Sequence, residues 1–412
     1  MASFPPVAAR RRTVLFAPIL GLALVASILA AACARRITPS SVFPASTAWV
    51  AAGDDAIEPP LAADDTRVFA AGRGGNVRAL DRLTGTPLWS SAGRPGVLSA
   101  GDGLLVLRQE DGTVRALDPE SGETRWEAAT GLEGRLPATI SGGRVLVAGA
   151  GAVALDAATG NAVWSSPADA AATAPVAVFG PWAFLGMEDG SLRCLDAATG
   201  GLLWSRGFGP ALRAAPVVDE RRRIVLGTSD RRVVSLRADE RGEVRWRWKV
   251  GGDVRAAPVL HAGNVLAVAY DAVLYALDRD NGHLAWRAPL PSRPVSGPLL
   301  YGSAVLVACL EKDIVGFDAR SGEQLGALAA PAPFQTAPLL VGDWVYMGLR
   351  DRSVVAIRLA QVAAAPAAPE ASPQAPRPRR RSRPPSPAPS PTPSPTPSPT
   401  PGALTTPDAP ID

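Results

Sequence analysis

The chain has 412 residues, with 42 Lys+Arg against 38 Asp+Glu for a formal charge of +4. The surplus of base sits at the ends: setting aside five Arg in residues 1–36, and five Arg with three acids in residues 362–412, leaves 32 Lys+Arg against 35 Asp+Glu. A slightly acidic body gives no ground for nucleic-acid binding, and three Cys without a Cys-x-x-Cys pair, beside only two His, argue against zinc or haem.

Residues 1–36 open with Arg10, Arg11 and Arg12, continue as an apolar stretch from Thr13 to Ala32, and end in small residues before Cys33. Charged, then apolar, then small is the order of an export signal. The ending Leu29-Ala-Ala-Ala-Cys33 resembles a bacterial lipobox, although Leu29 stands one place earlier than the usual leucine. That resemblance implies lipidation at Cys33, which then becomes the mature N-terminus. An ordinary cleaved signal and an uncleaved anchor remain the alternatives, since about 20 apolar residues span a bilayer. Ala34 carries no inner-membrane retention signal of the kind lipoprotein families use, so the expected address is the periplasmic face of the outer membrane, with inner-membrane anchoring as the alternative.

Residues 37–361 hold a repeat. Trp49, Trp89, Trp126, Trp164, Trp204, Trp246 and Trp286 follow one another at intervals of 37 to 42 residues, and Gly326 stands where the next is due. A period near 40 is that of a propeller array. Each Trp follows a stereotyped phrase such as Asp156-Ala-Ala-Thr-Gly160-Asn-Ala-Val-Trp164, with further copies at Asp81, Asp118, Asp196, Asp278 and Asp318. The phrase predicts a hairpin in which the Asp carboxylate accepts backbone N–H groups and Gly takes the positive φ of the reversal. Upstream, runs such as Pro216-Val-Val, Ile224-Val-Leu-Gly and Val233-Val-Ser-Leu236 are short apolar strands broken by turn residues.

The last repeat has no Trp strand after it, and Trp49 has no strands before it. The two ends therefore share a blade, which predicts an all-β, eight-bladed β-propeller of four-stranded antiparallel blades, monomeric and closed by its N-terminal strand. Deleting residues 37–50 is expected to destabilise the whole array, and removing residues 362–412 is not. One Asp per hairpin supplies too few oxygens for calcium, and Trp residues at equivalent positions read as inter-blade packing. Trp182, Trp248 and Trp344 fall outside the series and read as strand packing. Cys194 and Cys309 lie in different blades and read as buried thiols. No catalytic, metal or cofactor-binding residue emerges, and no cofactor is expected.

Alignment of the repeats places Arg94, Arg135, Arg213 and Arg255 three residues before the inner-strand Pro position. If each inner strand starts at one rim, these guanidiniums form a partial basic ring suited to carboxylate or phosphate groups. The plainer reading pairs them with loop acids such as Glu133 and Asp253.

Residues 362–412 carry Arg377-Pro-Arg-Arg-Arg381-Ser-Arg383 and then Ser-Pro-Thr-Pro repeats. Such a composition predicts a disordered, extended spacer, with docking of its basic knot on anionic polymer or lipid headgroups as the sharper reading.

The repeat phrase resembles the pyrroloquinoline-quinone-type propeller repeat over nearly all of residues 47–358. That family includes calcium- and quinone-dependent dehydrogenases, whose chamber-building insertions, adjacent cysteines and calcium ligands are not identifiable here. A nearer resemblance is to the propeller lipoprotein family of the Bam complex, which assists outer-membrane β-barrel assembly. It implies a protein partner, the barrel-assembly machinery, met by loops leading into neighbouring inner strands. Leu212, Arg213 and Asp253 match the family's positions in type and place, and Arg255 stands where a second acid is expected. The function implied is a non-catalytic envelope scaffold. The alternatives are an envelope binding or sensory propeller for an anionic polymer or peptide, and a quinone-dependent dehydrogenase.

Overall fold

The computed structural model describes residues 45–360, positions 240 and 311 excepted. Cys33, the rest of the leader and residues 362–412 lie outside the described residues. Thirty-two strands form eight four-stranded antiparallel sheets, and no helix occurs among the described residues. Seven sheets take four consecutive strands each: blade 1 spans 57–91, blade 2 96–129, blade 3 139–167, blade 4 177–207, blade 5 217–249, blade 6 259–289 and blade 7 299–329. Blade 8 combines 339–359 with the N-terminal strand Ala45–Ala51, which pairs with Val354–Leu359 from Ala45↔Leu359 to Ala51↔Val354. The first strands of neighbouring blades approach one another and surround the axis.

Why the chain needs a ring is visible in its burial. The two middle strands of a blade are buried on both faces and mostly apolar, as in Leu104–Gln109 and Arg223–Thr228, where every residue is buried. The outer strand alternates, with Thr124–Ala129 burying Trp126 between exposed neighbours. Such a sheet has no core of its own; its two faces are covered by the two blades beside it. Each of the eight apolar clusters accordingly draws on two adjacent blades, including one across the closing seam where Ile57, Leu61, Val68 and Leu80 of blade 1 meet Tyr346, Val354 and Ala356 of blade 8.

The tryptophans occupy those seams. The Trp204 indole donates to the Ala238 carbonyl of blade 5 at 3.1 Å, and Trp49, Trp89, Trp126, Trp164 and Trp246 make the equivalent bond to Arg82, Pro119, Ala157, Ala197 and Arg279. Trp286 packs over the turn at Gly322, but its Nε1 is buried without a partner. Each ring lies on the turn glycine of the next blade, so closely that a Cβ on Gly200 would stand 2.5 Å from Trp164. Gly200 also has φ of +73°. Seven such turns exist, because blade 8 takes its outer strand from the other end of the chain and has no third-to-outer hairpin. The Trp due at position 326 would find no turn to cover, which accounts for Gly326.

The Asp of each turn does what its spacing predicts. Asp156 Oδ1 accepts from the Ala158 and Thr159 amides at 3.2 and 3.0 Å and from the Thr159 hydroxyl at 3.0 Å. Asp81, Asp118, Asp196, Asp278 and Asp318 accept the same pair of amides. Blade 5 departs from the pattern: Arg237 takes the Asp position, its guanidinium pairs with Asp239, and the turn is wider by one residue, with Gly242 N–H donating to the Arg237 carbonyl.

Candidate docking rim

Antiparallel order puts the connectors between blades at the same end of the ring as the turns between second and third strands. Six of these connectors have nine residues, and those entering blades 1 and 2 have five and four. Arg94, Arg135, Arg213 and Arg255 all lie on connectors and so share this rim. Their surroundings differ. Arg94 pairs with Asp111 at 3.3 Å. Arg135 reaches past blade 2 to the buried Glu58 on the first strand of blade 1 at 3.1 Å, and to Glu110 at 3.8 Å. Arg73 meets the other oxygen of Glu58 at 3.5 Å. Arg255 closes on Asp253 at 2.9 Å, a hydrogen bond that raises its already high pKa. Arg213 is exposed and makes no ion pair among the described residues.

Acids thus engage three of the four arginines, with Asp111, Glu58 and Glu110 rather than Glu133 as partners in blades 1 and 2. The ring is a set of local ion pairs with one open cation. Leu212 requires correction as a docking side chain. It is 1% exposed, packed with Phe208, Leu192 and Ile224, and its carbonyl accepts from Thr173 of the preceding connector. It anchors the loop that holds Arg213 outward. Asp253, which matches the family position in type and place, is engaged by Arg255.

Sequence reasoning missed three parts of the rim. Arg108 is 1% exposed and donates to the carbonyls of Leu136, Leu132 and Glu133 at 2.8, 2.9 and 3.2 Å, clamping the connector that presents Arg135. Burial pushes its pKa down to about 10, so it stays charged at neutral pH. Tyr270, 39% exposed, lies between the Arg255 and Arg293 guanidiniums, whose carbons stand 4.7 and 5.4 Å from the ring centre. Leu310 projects from the next turn, 51% exposed. The only advance signal was for Arg108, a charge inside an otherwise apolar strand run.

The turn aspartates sit at most one to a blade, with carboxylates already accepting N–H groups, and no three His, Cys, Asp or Glu converge among the described residues. Cys194 and Cys309 are buried in separate blades.

Closed propellers of pyrroloquinoline-quinone-type repeats form a class with several kinds of member. A family described as outer membrane protein assembly factor BamB matches residues 45–178 and 188–386, and the chain belongs to that family. The BamB of Burkholderia pseudomallei is 27% identical over 285 residues, covering 54% of this chain and 74% of that protein. The BamB of Moranella endobia is 26% identical over 240 residues, covering 53% of this chain and 54% of its own length. Among solved structures, BamB from Moraxella catarrhalis superposes with a TM-score of 0.67 at 19% identity, over 76% of this chain and 98% of that one. The quinohemoprotein alcohol dehydrogenase from Comamonas testosteroni does so with 0.60 at 15%, over 77% of each chain. At these identities the superpositions establish the fold.

Proposed function

We propose that this protein is a non-catalytic scaffold of the cell envelope that supports assembly of outer-membrane β-barrel proteins, docking a protein partner on its connector rim. The observation that carries the reading is the family match, which runs through both the connector holding Arg213 and the one holding Asp253 and Arg255. The rim adds a physical ground: an exposed guanidinium held out by a buried Leu212, and an exposed Tyr270 braced by two arginines, offer a partner one charge-assisted contact and one aromatic contact. The Asp253–Arg255 pair replaces the two acids that the resemblance implies. The partner therefore meets a neutral pair there, and the attraction rests more on Arg213.

Lipidation at Cys33 would tether the ring to the periplasmic face of the outer membrane. Mass spectrometry of the mature N-terminus tests this directly, because a lipidated Cys33 and an intact leader differ in both mass and sequence. For the scaffold itself, crosslinking in intact cells followed by affinity purification is expected to recover the barrel-assembly machinery, with Arg213→Glu lowering the yield several-fold. Recovery of unrelated envelope proteins alone would contradict the proposal. Quinone- and calcium-dependent reduction of an electron acceptor by the purified protein would replace it with an enzyme.

A further inference from the structure

The outer strand of blade 5 reads Val244-Arg-Trp-Arg-Trp-Lys249, an alternation whose two faces have different fates. Trp246 and Trp248 pack into the seam with blade 6. Arg245, Arg247 and Lys249 occupy the opposite face and are exposed. Register extends the cationic face inward, since Lys249 pairs with Arg232 and Arg247 with Val234 on the third strand. Like charges directly opposite on a sheet are destabilising, yet Arg232 and Lys249 are held in that relation. Among the described residues Asp230 alone offsets them: its carboxylate pairs with Arg232 and accepts the Thr228 hydroxyl. Arg245, Arg247 and Lys249 make no ion pair among the described residues, nor does Arg206 at the end of the outer strand of blade 4.

These cations border a concavity. A cavity of about 290 Å³ opens between the end of blade 4 and the face of blade 5, with Arg232 and Arg247 on one wall, Thr228 and Asp230 beside them, and Phe208 with its flanking glycines on the other. Gly207 and Gly209 leave the backbone bare there, so a ligand can approach main-chain atoms without meeting a Cβ. Two guanidiniums at a recess, with Lys249 across from one of them, are suited to a group bearing several oxygen acceptors and more than one negative charge.

We propose that this notch between blades 4 and 5 is a binding site for a phosphate-bearing group, whether on a lipid headgroup or on a soluble phosphate compound. Occupancy supplies the counter-charge that the blade itself lacks. The notch opens at the connector end of the ring, where Phe208 and Gly209 begin the connector that holds Arg213, but its cations Arg232, Arg247 and Lys249 take no part in the scaffold reading, on which the proposal does not depend.

Full-length protein in detergent is titrated calorimetrically with pyrophosphate, and tested by flotation with phosphatidylglycerol and with phosphatidylcholine vesicles. Arg247→Gln, an exposed position, is compared with Arg247→Lys and with Arg213→Gln on the rim; the basic ends of the chain are the same in all. Loss of one charge-assisted contact lowers affinity about tenfold. The expected result is that loss for Arg247→Gln, partial recovery for Arg247→Lys and none of it for Arg213→Gln, with the melting midpoint unchanged throughout. An Arg247-dependent response to pyrophosphate assigns a soluble phosphate, and one confined to phosphatidylglycerol vesicles assigns a headgroup. Equal binding by wild type and Arg247→Gln, or no binding to any phosphate probe, would overturn the proposal.

Discussion

At the scale of single residues, the seam tryptophans combine a buried indole with a hydrogen bond to the neighbouring blade, so truncation removes both area and a contact. Trp204→Ala is expected to cost about 3–5 kcal/mol, read as a lower midpoint in denaturant. Gly200→Ala tests the other half of the contact. Its backbone lies in the left-handed region and its Cβ would strike Trp164, so a loss of about 1–3 kcal/mol is expected, where an ordinary Gly→Ala change in a loop would be neutral or stabilising. Burial pushes the Cys194 thiol up to about 12, which leaves it protonated and shielded at neutral pH. Peptide mapping after maleimide treatment should find it unlabelled in native protein and labelled in denaturant; rapid native labelling would contradict its place in the seam between blades 4 and 5. Trp and Asp were legible in advance because recurrence multiplies a weak signal. Leu212 was not, since one Leu beside one Arg reads the same in a sequence whether it faces a partner or a core.

The hairpin turn is the element on which pH should act. Thr84 and Thr159 hydroxyls, the Thr199 amide and the Arg125 guanidinium are the leading contacts that hold Asp81, Asp156, Asp196 and Asp118 below the usual carboxylate range. A carboxyl whose pKa is depressed by folding contributes stability that is complete above its unfolded value, near 3.9, and drains as pH falls through the lower folded value. Thermal melts should be insensitive to pH from 7 to about 5 and drop below about 4. Asp156→Asn with Asp196→Asn should flatten that drop; an unaltered slope would place the acid sensitivity elsewhere. The closing element makes a second case. The strand Ala45–Ala51 supplies an edge to blade 8, and nearby backbone oxygens at Ala52 and Asp54 accept from Arg78 and Arg352 at 2.6 and 3.2 Å. Deleting 45–51 should therefore expose both blade 8 and blade 1 to hydrogen exchange. Protection unchanged in blade 1 would mean that the seam closes without it. This strand was readable from the count of Trp strands alone, whereas the reason for Gly326 required knowing that the final turn does not exist.

For the whole molecule, the ring follows from sheets that are apolar on both faces, and that much is written in the period and strand composition. The rim is written less clearly. Arg135 meets Glu58 from two blades away, Arg255 meets an acid two residues before it, and Arg213 meets none among the described residues; a sequence shows all three as the same aligned arginine. What each can recognise depends on acids delivered by other loops, and so on the closed geometry. The central claim, that the connector rim is the working surface, is tested most directly by site-specific photocrosslinking in cells. A photoreactive residue at the exposed Pro210, on the Arg213 connector, is compared with one at the exposed Leu83 on the opposite rim. The account predicts an adduct with the barrel-assembly machinery from position 210 and none from position 83. Adducts from 83 alone, or equally from both, would contradict it.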